Sequence, residues 1–341
     1  MRGVMGTVAT TALICVAAVR SPAAEIGHFN GGLLNIRDYF VPQPAGVYGA
    51  LYNYVYATDR LNNRDGNEIH SVTVNPIAGP GATVNVNVDV DLYALVPALI
   101  WVPDWNPFGL KLGALIAPTF ANASLEAALS VATNRGGTIE EESFGVGDLF
   151  VQPLWIGWAP QHFDLAFAYG FYAPAGRYDT TTKSVSGGGT IEVEASDNLG
   201  YGFWTQQLQA SGAWYPWANK ATAVATALTY ENHQDKKDFD LEPGDNLTLN
   251  WGISQFLPLT KDHDLLVEVG PAGYDSWQIT DDSGGDASNK VHDQVHGVGG
   301  QLGLAYVPWS LAVTFHAFHE FSSEDRFQGN AFGLSVAKQI F

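Results

Sequence analysis

The chain has 341 residues, with 16 Lys and Arg against 35 Asp and Glu, a formal net charge of −19. So acidic a surface repels a polyanion, which excludes nucleic acid as a partner. With Cys15 as its single cysteine the chain can form neither an internal disulfide nor a thiolate metal cluster.

Met1-Arg2 precedes an apolar run from Val8 to Val19, followed by Ser21-Pro22-Ala23-Ala24. A charged start, an apolar stretch too short to span and a small-residue zone predict a secretory signal over residues 1–24, cut after Ala23 or Ala24. Cys15 follows Ile14, whereas a lipoprotein signal needs a small residue there, so it reads as filler of the apolar run. Losing Arg2 and Arg20 takes the formal charge from −19 to −21. No later apolar run reaches the ~18 residues of a spanning helix. If such a chain enters a membrane it must close into a barrel, because only helices and closed barrels satisfy their backbone polar groups in lipid. Residues 25–46, rich in Gly, Asn and Pro, are expected to stay periplasmic or fold inward as a plug ahead of a barrel over 47–341.

Apolar alternation recurs over residues 47–58, 83–102, 110–120, 148–158, 163–173, 203–215, 221–231, 246–257, 265–274, 295–307, 310–321 and 331–341. A period of two marks a strand. The expectation is an all-β, transmembrane antiparallel β-barrel of about twelve strands. In 83–102 the even positions from Val84 to Val102 are apolar, while Asn85, Asn87, Asp89, Asp91 and Tyr93 hold the odd ones. At ~3.3 Å per residue this strand is roughly 60 Å long, about twice the hydrocarbon thickness. Its apolar set is read as facing lipid and its polar set as facing the lumen. The same parity reading points Phe163, Leu165 and Phe167 outward, with Leu247, Leu249, Trp251 and Ile253. Asn85, Asn87, Asp89, Asp91, Tyr93, Gln207, Gln209, Asn250 and His316 are therefore the pore-lining candidates.

Short connectors at 159–162, 216–219 and 308–309 alternate with long polar ones at 59–82, 122–147, 174–202, 232–245 and 275–294. That asymmetry predicts short periplasmic turns and long extracellular loops. Seven of the ten tryptophans (Trp101, Trp105, Trp155, Trp158, Trp214, Trp217 and Trp309) sit at or beside the short connectors, where an aromatic girdle belongs. The chain ends on Phe341, the aromatic terminus that barrel-assembly machinery reads. Phe332, Leu334 and Val336 lie on the opposite parity, which predicts a bulge or a non-strand end near Lys338.

Several stretches resemble the family named for the meta-pathway of phenol degradation, a group of Gram-negative outer-membrane barrel proteins. They are Tyr54-Val55-Tyr56-Ala57-Thr58-Asp59-Arg60-Leu61-Asn62-Asn63-Arg64-Asp65-Gly66-Asn67 and Val88-Asp89-Val90-Asp91-Leu92-Tyr93-Ala94, then Gly145-Val146-Gly147-Asp148-Leu149, Tyr172-Ala173-Pro174-Ala175-Gly176-Arg177-Tyr178-Asp179, Gly244-Asp245-Asn246-Leu247-Thr248-Leu249-Asn250-Trp251 and Thr280-Asp281-Asp282-Ser283-Gly284. The resemblance runs from about residue 45 to the end. It implies an outer-membrane channel or uptake role for small hydrophobic or aromatic compounds, and it brings no catalytic residue.

The Asp89 and Asp91 row would set cation preference or bond a phenolic solute if it lined the lumen; if it stood in an extracellular extension it would be a solvated edge. Neither 59–68 nor 281–286 matches an EF-hand loop, since placing Gly66 at position 6 puts Leu61 at position 1. His292 and His296 lack a third metal ligand, and no serine sits in a G-x-S-x-G setting. No cofactor, metal or catalytic residue is expected. The expected partners are outer-membrane lipid, small hydrophobic solutes and the barrel-assembly machinery. The rivals are a phospholipase-like membrane hydrolase, which needs Ser and His in hydrogen-bond reach, and a structural barrel without a through-path.

Overall fold

The computed structural model describes residues 26–74, 82–131, 135–185, 189–195, 197–287 and 292–341; the predicted signal lies outside them. Strands run in chain order as β1 (Gly46–Thr58), β2 (Ser71–Val74), β3 (Ala82–Val102), β4 (Lys111–Val131), β5 (Arg135–Trp158), β6 (Phe163–Ala173), β7 (Thr180–Val185), β8 (Gly189–Glu194), β9 (Thr205–Trp214), β10 (Thr222–His233), β11 (Asn246–Pro258), β12 (Leu265–Gln278), β13 (Gln294–Tyr306), β14 (Leu311–Glu324) and β15 (Asn330–Gln339). Strand β2 only extends the edge of β3, and β7 with β8 forms a separate hairpin within a long loop. The other twelve pair antiparallel in sequence, and β1 closes the ring by pairing with both β15 and β3. Closure leaves no unpaired edge inside lipid, the condition for a sheet to cross a membrane.

Strand parity decides what meets lipid. On β6, Phe163, Leu165 and Phe167 are exposed while Asp164, Ala166 and Ala168 are buried. On β11, Trp251 and Ile253 are exposed and Thr248, Asn250 and Ser254 are buried. Trp101, Trp105, Trp158, Trp214, Trp217 and Trp309 crowd the short-turn end, each about half exposed or more. The C-terminus shares that end: Val47 N–H donates to Phe341 O at 2.9 Å. Strand β15 stops at Gln339 with an unbroken register to β1, so the parity change near Lys338 is a non-strand end.

Three expectations are corrected. First, Asn85, Asn87, Asp89, Asp91 and Tyr93 lie on the outer face, all exposed, in line with Leu99 and Trp101 below them. The Tyr93 hydroxyl donates to Asn53 Oδ1 at 2.8 Å on that outer surface. The inward positions are Leu92, Ala94, Val96, Ala98 and Ile100. A strand that rises above the membrane meets water on its outside, so polar residues belong there, whereas the wall below is apolar on both faces.

Second, β4 and β5 are 21 and 24 residues long, and most of the expected loop over 122–147 is a hairpin whose ladder continues from Leu125↔Glu141 to Val131↔Arg135. Above lipid both faces are wet, so the apolar alternation fades while backbone pairing persists.

Third, Trp155 leaves the girdle and is buried inside. The β5–β6 register skips between Val151↔Phe171 and Leu154↔Tyr169, so Pro153 and Leu154 both face outward and the next residue turns in. Re-aiming one side chain is what a bulge does.

The β3–β4 ladder is also interrupted, between Leu95↔Phe120 and Leu99↔Ile116. The same register sets Pro97 opposite Pro118, and neither has an amide hydrogen to donate.

Candidate functional site

Residues 26–45 run inside the barrel, and the inward polar residues of the far wall hold them. Phe29 N–H donates to Glu231 Oε1 at 3.0 Å, Gly32 N–H to Asn250 Oδ1 at 3.0 Å and Ile36 N–H to Gln301 Oε1 at 2.9 Å. Asn35 Nδ2 donates to Ser335 Oγ at 2.8 Å, and His316 Nδ1 lies 3.2 Å from Asn35 Oδ1. Nearer the short-turn end, Arg37 Nε donates to Ser254 Oγ at 2.8 Å and Glu268 Oε1 at 3.0 Å, while its two terminal nitrogens cap the carbonyls of Lys220 and Ala221. Each bond satisfies a buried group that would otherwise cost the desolvation of that group. Gly32 has φ +75°, and a Cβ there would stand 2.8 Å from the Tyr274 ring and 2.9 Å from Phe318, so only glycine fits this crossing.

Two ionisable side chains of the segment, Asp38 and His28, are held away from their ordinary values. Burial pushes the Asp38 carboxyl up to about 6, against the bonds it accepts from Asn35 and Tyr52. Burial also lowers His28 below the ordinary histidine value, although Asp148 at 2.9 Å favours its charged form. The other ring nitrogen of His28 meets Thr205 Oγ1 at 2.8 Å, and that hydroxyl also meets His233 Nδ1 at 2.7 Å. The hydroxyl set beside histidines is thus a threonine, fully buried between two rings.

Between this segment and the wall of β1, β3, β4 and β5 lies a cavity of about 200 Å³. Its lining is apolar on most sides: Leu33 and Leu34 from the segment, Ala94, Val96 and Ala98 from β3, and Leu115 and Ala117 from β4. A second cavity of about 110 Å³ lies on the extracellular side, lined by Glu231, Glu320 and Arg326 among others. Phe29, Asn30, Tyr54 and Leu92 line both.

Of the candidates read from sequence, Gln207 and Gln209 line the larger cavity, while Asn250 and His316 face inward and hold the segment instead. The five from β3 are elsewhere, on the outer face. Sequence reasoning missed Trp155 and the inward apolar set of β3. The available signal was Leu92 to Val102, where nearly every residue is apolar, as a wall with lipid outside and an apolar space inside requires. His292, Asp293 and His296 take separate partners in Asp281, Arg326 and Asp275. Among the described residues no group of three His, Cys, Asp or Glu is placed to hold a metal ion.

A closed twelve-stranded wall with an apolar outer belt, a tryptophan girdle, short turns at one end and long loops at the other defines an outer-membrane β-barrel. Residues 58–336 match the family described as "Putative MetA-pathway of phenol degradation", and the chain belongs to that family. Among solved structures it is similar to the COG4313 outer membrane channel from Pseudomonas putida F1, at 14% identity and a TM-score of 0.65, covering 89% of this chain and 99% of that one. The beta domain of the Bordetella autotransporter BrkA is similar at 10% identity and a TM-score of 0.47, over 87% of this chain and 100% of that one. A mutant of the TodX monoaromatic hydrocarbon channel is similar at 12% identity and a TM-score of 0.39, over 88% and 91%. No curated protein matches the chain in sequence.

Proposed function

We propose that this barrel takes up small hydrophobic, chiefly monoaromatic, solutes across the outer membrane and catalyses no reaction on them. The observation that carries the reading is the apolar cavity of about 200 Å³ directly inside the interrupted stretch of wall. An apolar cavity of about 150 Å³ stays dry and holds benzene, so this one suits a single substituted ring. Val96, Ala98, Ala117 and Thr119 line the cavity, and Pro97, Leu99, Ile116 and Pro118, alternating with them, line a groove on the outer surface. A solute entering from the extracellular cavity passes the neck at Phe29 and leaves sideways between β3 and β4.

The N-terminal segment serves as a plug in this reading, anchored so as to exclude free passage of water and ions. Assembly through the machinery that reads an aromatic terminus is part of the same proposal, supported by Phe341 standing 83% exposed at the periplasmic end.

The test is the initial uptake rate of labelled toluene by intact cells whose only added channel is this barrel. Uptake should exceed that of cells carrying Ala117→Phe, which fills the cavity. Equal rates at equal barrel abundance would refute the reading.

A further inference from the structure

Two of the side chains lining the cavity have polar atoms that the protein leaves unanswered. Trp155 is 4% exposed and Gln207 is 3% exposed, and both line the apolar space. Trp155 Nε1, a donor, and Gln207 Oε1, an acceptor, have no hydrogen-bond partner and no access to bulk water. In folded proteins buried polar atoms are almost always paired, because leaving one unpaired forfeits its hydration; other buried atoms of this barrel, such as Ser211 Oγ and Gln301 Nε2, are unpaired too, but they do not line this cavity.

Their position is built rather than incidental. Trp155 reaches the interior only through the bulge between Val151 and Leu154, and Gln207 stands opposite Gly170, whose missing side chain makes room for the Phe150 ring. A Cβ at Gly170 would come within 2.8 Å of the Phe150 ring. The facing stretches from Ala94 to Ala98 and from Leu115 to Ala117 are apolar, and the polar lining groups Asp148, Asp38 and Gln209 are engaged elsewhere: Asp148 accepts from the amides of Gly176 and Tyr201, Asp38 from Asn35 and Tyr52, and Gln209 donates to Thr229.

We infer that the cavity is a binding site for a neutral monocyclic aromatic molecule bearing one hydroxyl group, with the ring against β3 and β4 and the hydroxyl between Trp155 and Gln207. A hydroxyl both accepts and donates, so one group answers both atoms: Trp155 Nε1–H donates to its oxygen and it donates to Gln207 Oε1. A bare hydrocarbon of the same size fills the space and leaves both atoms unpaired. A carboxylate answers Trp155 but sets a negative charge beside the Gln207 oxygen in an apolar site, which disfavours it. This rests on the uptake reading above and narrows it to a polarity class.

The experiment is equilibrium binding of 4-methylphenol and 1,4-dimethylbenzene to the purified full-length barrel, with partition into detergent micelles subtracted. The native protein should bind the phenol at least tenfold more tightly than the hydrocarbon. Gln207→Leu and Trp155→Phe should each reduce that ratio severalfold while leaving hydrocarbon binding in place. Heat-modifiable gel mobility shows which variants fold, and if one fails the other carries the comparison. Equal affinity of the native protein for the two compounds would overturn the hydroxyl assignment and leave the uptake reading standing. An undiminished ratio in a folded variant would overturn it as well. Binding of neither compound would remove both.

Discussion

Pro97 of β3 and Pro118 of β4 sit opposite each other in the barrel wall, and the ladder between their strands lapses around them. Two prolines that cannot donate to the facing strand weaken the wall at one level, beside the apolar cavity. Pro97→Val with Pro118→Val restores both amides and should close the interruption. Uptake of a small aromatic should fall severalfold, and the barrel should melt at a higher temperature in gel-mobility assays. Unchanged uptake with a demonstrably stiffer wall would place the exit elsewhere.

The outward row on β3 gives a prediction opposite to the one its alternation invites. Asp89 and Asp91 stand on the outer face of an extension above the membrane, where salt screens charge beyond about 8 Å. Asp89→Asn with Asp91→Asn should leave cation preference in planar bilayers unchanged. Leu99→Arg and Phe167→Arg, in the lipid belt, should impair assembly, since a cation there costs about 2–4 kcal/mol at the midplane; Asp91→Arg should assemble normally.

Arg37 is the strongest anchor of the inner segment. Its side chain is 19% exposed and that of Glu268 9%, and removing one partner of such a pair leaves an uncompensated charge, a loss of about 3–5 kcal/mol. Arg37→Ala should loosen the segment and raise single-channel conductance for small ions. Conductance equal to the native level would show that the segment does not limit the lumen. At the neck, Phe29→Ala should speed aromatic uptake without a comparable rise in ion conductance, because the anchoring bond uses the backbone amide of residue 29.

The Asp38 carboxyl makes docking of that segment depend on pH. Its value in the folded protein, about 6, lies above the ordinary 3.8, so the docked state holds the proton more tightly. Docking is favoured by this group below pH 3.8 and loses that contribution as pH rises through 6. His28 acts in the other sense: its lowered value means docking weakens as pH falls below 6.5. Comparing the native protein with Asp38→Asn isolates the carboxyl. The variant should open less often than the native channel at pH 7.5, and the two should converge near pH 4; parallel curves would contradict the assignment.

Much of this architecture was legible because lipid enforces parity. Phe163 to Phe171 and Leu247 to Ile253 alternate cleanly, since one face meets hydrocarbon and the other a packed polar interior. The reading failed on β3 because alternation reports a contrast between faces and not which face is inside. Leu92 to Val102, apolar on both faces, carried the correct answer. Trp155 was misplaced because its direction depends on a bulge, and a bulge is set by pairing with β6 that no local pattern records. The anchors of the inner segment were invisible for a related reason: His28, Asn35 and Arg37 meet partners 120 to 300 residues away.

In the proposed function the space inside β3, β4 and β5 holds a small aromatic ring. Crystals of the barrel soaked with iodobenzene test it directly, because anomalous scattering locates the iodine without reliance on the fit of a weak ligand. An iodine peak is expected within the cavity, in contact with Val96, Leu115 or Trp155, and it should be lost in Ala117→Phe. Iodine found only on the outer lipid-facing surface, with ordered water filling the cavity, would contradict it.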